Sequence, residues 1–230
     1  MTAALAAGCG VAGLVVGAAI LIGIERIPSR ASLLSPPFPE VGAGIRRPRG
    51  ALVVLGTGAL WAGLALHLGD AWELPAYLVL SAALVLLSAI DLDHHLLPNR
   101  VVYPTTLVVL ALFGVAAALD DAGDAFLTAL ACGAGAFVVF FVLHLISPRG
   151  MGFGDVKLSF VLGLALGWLG AGEAVLGLFL GFVYGAVVGI ALLVTGVRSR
   201  KDAVPFGPFL AAGTMTAVFV GSTILDWYRG

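Results

Sequence analysis

Two aspartates of this 230-residue chain lie in surroundings that suit a carboxylate for chemistry. Asp91 ends an apolar stretch and opens the polar segment Asp-Leu-Asp-His-His, and Asp155 closes the segment Gly-Met-Gly-Phe-Gly-Asp before another apolar stretch. Two carboxylates that share a small site do not both ionise easily, so the pair holds a single proton. Such a pair can activate a water against a peptide carbonyl and protonate the leaving amine, without a covalent intermediate. The two residues therefore suggest an aspartic protease site.

The glycines before Asp155 have a mechanical explanation. Gly150, Gly152 and Gly154 tolerate backbone conformations that other residues avoid, and they let a substrate strand approach closely. The pattern Gly-x-Gly-Asp alone is weak support, because 32 of the 230 residues are glycine. Its value depends on whether the fold brings it opposite Asp91, and so on the elements that carry the two aspartates.

The composition predicts that these elements are membrane helices. Hydrophobic residues make up 60% of the chain and charged residues 11%, and the mean hydropathy of +1.10 is far above that of soluble proteins. We predict an all-α, polytopic membrane helix bundle of about eight transmembrane helices, forming a single membrane-embedded domain over residues 1–230. The third and sixth spans are short, and the sixth could begin as a re-entrant segment near Gly154. The predicted spans, each near the ~20 residues that cross hydrocarbon, are 3–24, 51–69, 74–90, 101–119, 125–146, 156–171, 174–197 and 205–225.

Lysines and arginines predict the orientation of the bundle, because they accumulate in cytoplasmic loops. With the amino terminus outside, all but one of the 12 basic residues fall in inner loops, and only Arg229 falls outside. Asp91 then ends the third span as the chain enters the cytoplasm, and Asp155 begins the sixth as it leaves. An ionisable group at a membrane boundary needs a wet cavity and a partner, so each aspartate is expected to partner the other. The inner basic residues are Arg26, Arg30, Arg46, Arg47, Arg49, Arg100, Arg149, Lys157, Arg198, Arg200 and Lys201.

Residues 25–50 form the one sizeable predicted loop, which is rich in proline and arginine and too short to bury a core of its own. We interpret it as a short cytoplasmic linker that its arginines hold near anionic headgroups, with binding of a substrate leader or a partner as the alternative. Cys9 and Cys132 fall inside predicted spans and form no Cys-x-x-Cys pair, which argues against a zinc ribbon or a disulfide framework. No basic segment precedes the first apolar stretch, so we expect a retained helix rather than a cleaved signal peptide.

Three segments resemble those of the type IV prepilin peptidases, which are membrane aspartic proteases of the GxGD class. They are Ala-Ile-Asp-Leu-Asp-His-His-Leu-Leu-Pro-Asn at 89–99, Gly-Met-Gly-Phe-Gly-Asp-Val-Lys-Leu at 150–158 and Pro-Phe-Gly-Pro at 205–208. The separation of 64 residues between Asp91 and Asp155 also fits that family. The resemblance extends from about residue 51 onward, and residues 13–30 look like a degenerate form of the family's first helix and its exit.

The resemblance implies an enzyme of the bacterial plasma membrane that cuts the short basic leaders of prepilins and pseudopilins at the cytoplasmic face, just before their apolar helix. Asp91 and Asp155 would be its catalytic residues. Family members commonly cut after a glycine and often before a phenylalanine, and we expect the same preference here. The motif residues that would position the substrate or support the aspartates are Gly152, Gly154, Lys157, Pro205, Phe206 and Gly207.

One departure from the family concerns cofactors. Many members carry two Cys-x-x-Cys pairs in a larger first cytoplasmic loop, and many also methylate the new amino terminus with S-adenosylmethionine. The corresponding loop of this chain contains no cysteine. We therefore predict no zinc, no cofactor for proteolysis, and S-adenosylmethionine only if methyltransferase activity is retained.

Several residues near the motifs also have a purely structural interpretation. Lys157 is explained equally well as an interfacial lysine that extends toward water, and residues 205–208 as a simple helix start. Asp93 is expected to be a solvated surface acid. His94 and His95 are expected to be interfacial polar residues rather than metal ligands, since the chain has no HExxH pattern.

A stripe of glycines marks the seventh predicted span, where Gly177, Gly181, Gly185 and Gly189 recur at every fourth residue. Such a stripe permits close contact between membrane helices. It would either pack this span inside the protomer or form the face of a homodimer.

The main alternative from another class is a transporter or proton-relay protein, in which paired membrane aspartates move protons or bind cations. Such a protein would favour charges near mid-membrane and internal repeats, and the chain shows neither. An inactive scaffold of a pilus assembly system is a third interpretation, which the presence of both aspartates with their motif residues disfavours.

Overall fold

The computed structural model describes residues 2–28, 41–148, 150–196 and 205–230, and within these ranges the regular structure is entirely helical. The helices alternate with short connections, as expected of apolar segments that satisfy their backbone hydrogen bonds internally. They are α1 (Thr2–Arg26), α2 (Val41–Arg46), α3 (Pro48–Leu68), α4 (Leu74–His94), α5 (Asn99–Leu119), α6 (Gly123–Ile146), α7 (Phe153–Leu169), α8 (Ala171–Val194) and α9 (Gly207–Arg229).

The predicted polytopic helix bundle is confirmed. Seven of the described helices, α1, α3 to α6, α8 and α9, are long and apolar enough to cross a membrane. The sixth predicted span corresponds to α7, which has only 17 residues. At 1.5 Å per residue, α7 is about 25 Å long, which is shorter than the ~30 Å hydrocarbon core.

Helix α7 lies inside the bundle, enclosed by other helices. Almost every residue from Asp155 to Gly167 is buried, and α7 packs against α5, α6, α8 and α9. The Tyr77 hydroxyl of α4 donates a hydrogen bond of 2.8 Å to the Ala165 carbonyl of α7. The Tyr77 ring meets Phe113 of α5 edge-on, with ring centroids 5.4 Å apart. These contacts fix α4 and α7, the helices that carry Asp91 and Asp155, relative to each other.

The glycine stripe of α8 is used inside the chain. A Cβ atom at Gly177 would lie 2.6 Å from Leu166 Cδ1, and one at Gly181 would lie 2.9 Å from Leu210 Cδ2. Gly185 faces the Phe206 ring, whereas Gly189 has no described atom within 4 Å of a Cβ position. Three of the four glycines therefore let α8 approach α7 and α9, so the stripe as predicted is not a free face for a second copy.

The loop predicted over residues 25–50 is partly helical. Residues 41–46 form α2, and α3 begins at Pro48, three residues before the predicted span. Proline is well suited to the first position of a helix, because the amide hydrogen that it lacks would have no partner within the helix there. The remaining residues of that loop, 29–40, lie outside the described residues, as do Arg149, Arg198, Arg200 and Lys201.

Candidate active site

Asp91 lies in the last turn of α4 and is buried, with 5% of its surface exposed. The helix ends because His95 adopts a left-handed conformation with φ of 52°, and the His95 amide donates to the Asp91 carbonyl at 2.9 Å. The chain then leaves through Leu96, Leu97 and Pro98. The turn leaves the carboxylate of Asp91 facing the start of α9.

The start of α9 supplies the hydrogen bond of the Asp91 carboxylate. The Gly207 amide donates to Asp91 Oδ2 at 3.1 Å, across 116 residues of sequence. A helix amino terminus favours an anion through its free amides and its dipole. A Cβ at position 207 would lie 2.9 Å from Asp91 Oδ2 and 3.2 Å from Leu97 Cδ2, so only glycine allows this approach without displacement of a neighbour.

The Pro-Phe-Gly-Pro segment holds the start of α9 in place. Pro205 is buried, and the Phe206 ring packs on Phe182 of α8 with centroids 4.9 Å apart. Pro208 occupies the first turn of α9. The segment is therefore a helix start, as the simpler interpretation had it, and it also lies against Asp91, as the resemblance had implied.

Asp155 lies in the first turn of α7 and is 7% exposed. Its amide donates to the Gly152 carbonyl at 3.1 Å, and a Cβ at Gly152 would lie 3.2 Å from Asp155 Oδ2. Asp155 Oδ1 is buried without a hydrogen-bond partner in the part of the chain that the structure describes. This oxygen is free to bind the proton or the water that a pair of carboxylates would share.

Leu97 connects the two acidic segments. A Cβ at Gly154 would lie 2.9 Å from the Leu97 Cβ atom, while Leu97 Cδ2 reaches the Gly207 position. The leucine thus packs between the first turn of α7, which carries Asp155, and the start of α9, which binds Asp91. We did not single out Leu97 from the sequence, because one leucine among many gives no signal.

Both carboxylates line one pocket of about 290 Å³, and they are close enough to interact electrostatically. The fold therefore brings the two predicted aspartates together. Gly152, Gly154 and Lys157 line the same pocket, whereas Gly207 contacts Asp91 from the side of α9. The other lining residues are His95, Leu96, Leu97, Asn99 and Phe153.

Lys157 is directed toward α5 rather than toward the carboxylates. Its Nζ atom donates to Asn99 Oδ1 at 2.9 Å. It also lies over two aromatic rings, 4.7 Å from the centroid of Phe153 and 5.4 Å from that of Tyr103. Lys157 therefore joins α7 to α5 at the edge of the pocket.

His144 is a polar residue beside the pocket, in contact with its lining residue Phe153, and we did not predict it. Its Nδ1 atom lies 2.8 Å from the Met151 carbonyl, and its ring packs on Phe153 with centroids 5.5 Å apart. Because a carbonyl only accepts hydrogen bonds, Nδ1 carries the proton of this contact. The available signal was a lone histidine near the end of an apolar run, seven residues before Met151.

Asp93 is an exposed acid, as we had expected, and it also has a charged partner. Arg49 of α3 donates to Asp93 Oδ1 at 2.7 Å and to the Ala89 carbonyl at 3.2 Å. The side chain of Asp93 remains 34% exposed, and it is absent from the residues that line the pocket. Asp93 thus ties α4 to α3 on another side of the helix from Asp91.

The fold and the site define a multi-pass membrane protein with two buried carboxylates at adjoining helix ends. The model of the type IV leader peptidase family matches residues 78–193, half of the chain, including both aspartates. The chain belongs to the type IV leader peptidase family, as the resemblance had indicated. Family members are proteins of the inner membrane, and the seven long apolar helices agree with that location.

Relatives from several bacteria are named prepilin leader peptidase/N-methyltransferase. The chain is 34% identical to the one from Aeromonas hydrophila over 178 residues, and 35% identical to the one from Stutzerimonas stutzeri over 181 residues; both alignments cover 77% of this chain. A relative from Bacillus subtilis is 30% identical over 172 residues, or 75% of this chain. The chain spans about 60% of the length of the first two and 66% of the third. No solved structure matches the chain.

Proposed function

We propose that this chain is an aspartic endopeptidase that removes the short basic leader of prepilins or pseudopilins. The observation that carries the proposal is the single pocket that Asp91 and Asp155 share. Membership of the leader peptidase family supports the reaction, and the names of the relatives support the class of substrate. The substrate is a protein whose scissile bond immediately precedes an apolar membrane helix.

The reaction proceeds by general acid and base catalysis. One carboxylate accepts a proton from a water as that water attacks the scissile carbonyl, and the other donates its proton to the carbonyl oxygen. The tetrahedral intermediate then collapses and its C–N bond breaks. The leaving amine takes the proton that the first carboxylate removed from the water, and the second carboxylate regains its proton from a hydroxyl of the intermediate. The Gly207 amide fixes the orientation of Asp91, and the unpartnered Oδ1 of Asp155 suits the shared proton. Gly152 and Gly154 leave room for the peptide beside the two acids.

The pocket opens to the cytoplasm and the amino terminus of α1 lies outside. The support is the distribution of charge around the helix ends. Arg49, Arg100 and Lys157 lie at the same helix ends as Asp91 and Asp155, while Glu73, Asp120, Asp121, Asp124 and Glu173 lie at the opposite ends. This asymmetry follows the positive-inside rule. A basic leader therefore meets the two catalytic carboxylates, the dyad of Asp91 and Asp155, on the side where membrane proteins are synthesised.

Proteolysis by this site needs no metal and no organic cofactor, because two carboxylates and water suffice. S-adenosylmethionine is required only if the chain also methylates the new amino terminus. A transporter is disfavoured because both acids lie in terminal turns of their helices rather than at mid-span. Lipid surrounds the outer helices, and a homodimer would need a face other than Gly177, Gly181 and Gly185.

The test is cleavage of a purified prepilin in liposomes by the wild type, Asp91→Asn and Asp155→Asn. General acid or base catalysis is worth roughly 10²–10⁴-fold, so each variant should lose at least about 100-fold in kcat. Asp93→Asn is the matched control, since Asp93 is near Asp91 in sequence but pairs with Arg49, and it should keep most of the activity. Retained cleavage in either dyad variant would refute the mechanism. The product mass shows whether a methyl group is added.

A further inference from the structure

A second, larger groove lies on the membrane-facing side of the bundle, between α3, α4 and α9. It has a volume of about 430 Å³ and runs from Ser81 to Leu92 along α4. Eleven helical steps correspond to about 16 Å, which is roughly half of the ~30 Å hydrocarbon core. The groove therefore extends from the cytoplasmic end of α4 toward the middle of the membrane.

The walls of the groove suit an apolar occupant. The hydroxyl residues among its lining are Thr57, Ser81 and Ser88, and two of them have partners within their own helices: Thr57 Oγ1 donates to the Val53 carbonyl at 2.7 Å, and Ser81 Oγ donates to the Leu78 carbonyl at 2.9 Å. The charged lining residue, Arg49, donates to Asp93. Gly56 leaves one wall open, because no described atom lies within 4 Å of a Cβ at that position. In lipid, helices associate where small residues allow close packing, and the glycine provides such a place.

The cytoplasmic end of the groove adjoins the active site. Leu92 and Pro208 line this end, and they are the immediate neighbours of Asp91 and Gly207, which are joined by the hydrogen bond of 3.1 Å. The groove and the pocket thus share α4 as a wall, while α9 lines the groove and binds Asp91 through the Gly207 amide. A segment bound in the groove would therefore end at Leu92 and Pro208, each of which is one residue away from a member of the Asp91–Gly207 hydrogen bond.

We propose that this groove binds the cytoplasmic half of the substrate's apolar membrane helix, and this proposal rests on the proposed function. The scissile bond directly precedes that helix, so the helix has to pack beside the dyad when the bond is cut. The groove offers this helix about three turns of contact, starting at the depth of Asp91. Binding the helix there would hold the following leader at the pocket and would fix which peptide bond is presented.

Gly56→Leu tests the proposal by filling the groove from a position where an added Cβ has no described atom within 4 Å. The matched control is Gly135→Leu on α6, which is also exposed and has an equally open Cβ position. Two substrates are compared: a full-length prepilin in liposomes, and a short peptide that spans the cleavage site without the apolar helix. Gly56→Leu should raise KM for the prepilin about 10-fold and leave kcat/KM for the peptide unchanged. Gly135→Leu should change neither.

A photo-crosslinking residue at Leu52, which lines the groove, gives an independent readout, with Leu127 on α6 as the control. The crosslink is made in the Asp155→Asn background so that substrate is not consumed. Crosslinks to the prepilin helix from position 52 and not from 127 support the proposal. Equal KM values for Gly56→Leu and wild type, or crosslinks to lipid alone, overturn it. If the wild type cuts the prepilin but not the short peptide, the comparison of the two substrates cannot be made, and the crosslinks from position 52 then support or overturn the proposal. A wild type that cuts neither substrate refutes the proposed function itself.

Discussion

Gly207→Ala tests the contact that joins the last helix to the dyad. The added Cβ would lie 2.9 Å from Asp91 Oδ2, so the carboxylate has to rotate away and its hydrogen bond to the Gly207 amide is weakened or lost. A carboxylate is the end of a short, rotatable side chain, so this movement costs the fold little. Hydrogen bonds to charged groups contribute about 1.5–3 kcal/mol, and a factor of ten corresponds to 1.36 kcal/mol. The expected loss in kcat/KM is therefore about 10- to 100-fold.

The assay is prepilin cleavage in liposomes, together with a thermal unfolding curve for each variant. Gly189→Ala on α8 is the control, because no described atom lies within 4 Å of its Cβ position. Gly207→Ala should unfold near the wild-type temperature and yet cleave slowly, while Gly189→Ala should match the wild type in both measurements. If Gly207→Ala cleaves at the wild-type rate while Asp91→Asn does not, the Gly207 amide has no part in orienting Asp91.

Two further predictions concern residues at the edge of the pocket. His144→Leu removes the donor to the Met151 carbonyl and should lower kcat about 3- to 10-fold, which corresponds to the loss of one neutral hydrogen bond. His144→Asn should recover part of this loss, because its amide group can replace Nδ1. Equal rates for the two variants would contradict a positioning role. Lys157→Met and Asn99→Ala each break the same 2.9 Å contact, so each should lower kcat/KM by about 2- to 5-fold, and the double variant should lose no more than either one. A much larger effect of Lys157→Met alone would instead mean that the lysine touches the substrate.

The parts of the fold that could be predicted from the sequence are those set by local composition. Long apolar runs gave seven of the predicted spans, because length and hydropathy decide whether a helix can cross a membrane. The remaining span, predicted over 156–171, corresponds to α7, which has only 17 residues and is mostly buried. The segment Val41–Arg46 is helical although its surroundings are rich in proline and arginine, and composition alone did not indicate that short helix.

The candidate site was predictable only in part, for a similar reason. Asp91 and Asp155 stand out because carboxylates are rare in apolar chains and costly at a membrane boundary. Gly207 was predicted only through its motif, Pro-Phe-Gly-Pro, and Leu97 gave no signal, since the contacts of both join segments that are distant in sequence. The pairing of Asp93 with Arg49, 44 positions away, was likewise invisible to a pattern read along a single helix.

The bond between Asp91 and Gly207 also sets the order in which the site can be completed during synthesis. Gly207 is made 116 residues after Asp91, which at ~5–20 residues per second corresponds to roughly 6–23 s. During that interval α4 is already present in the membrane, and Asp91 still lacks its donor from α9. A nascent chain therefore has both acids before Asp91 has its donor, since Asp155 precedes Gly207 by 52 residues, and the site gains its full geometry only when α9 is inserted.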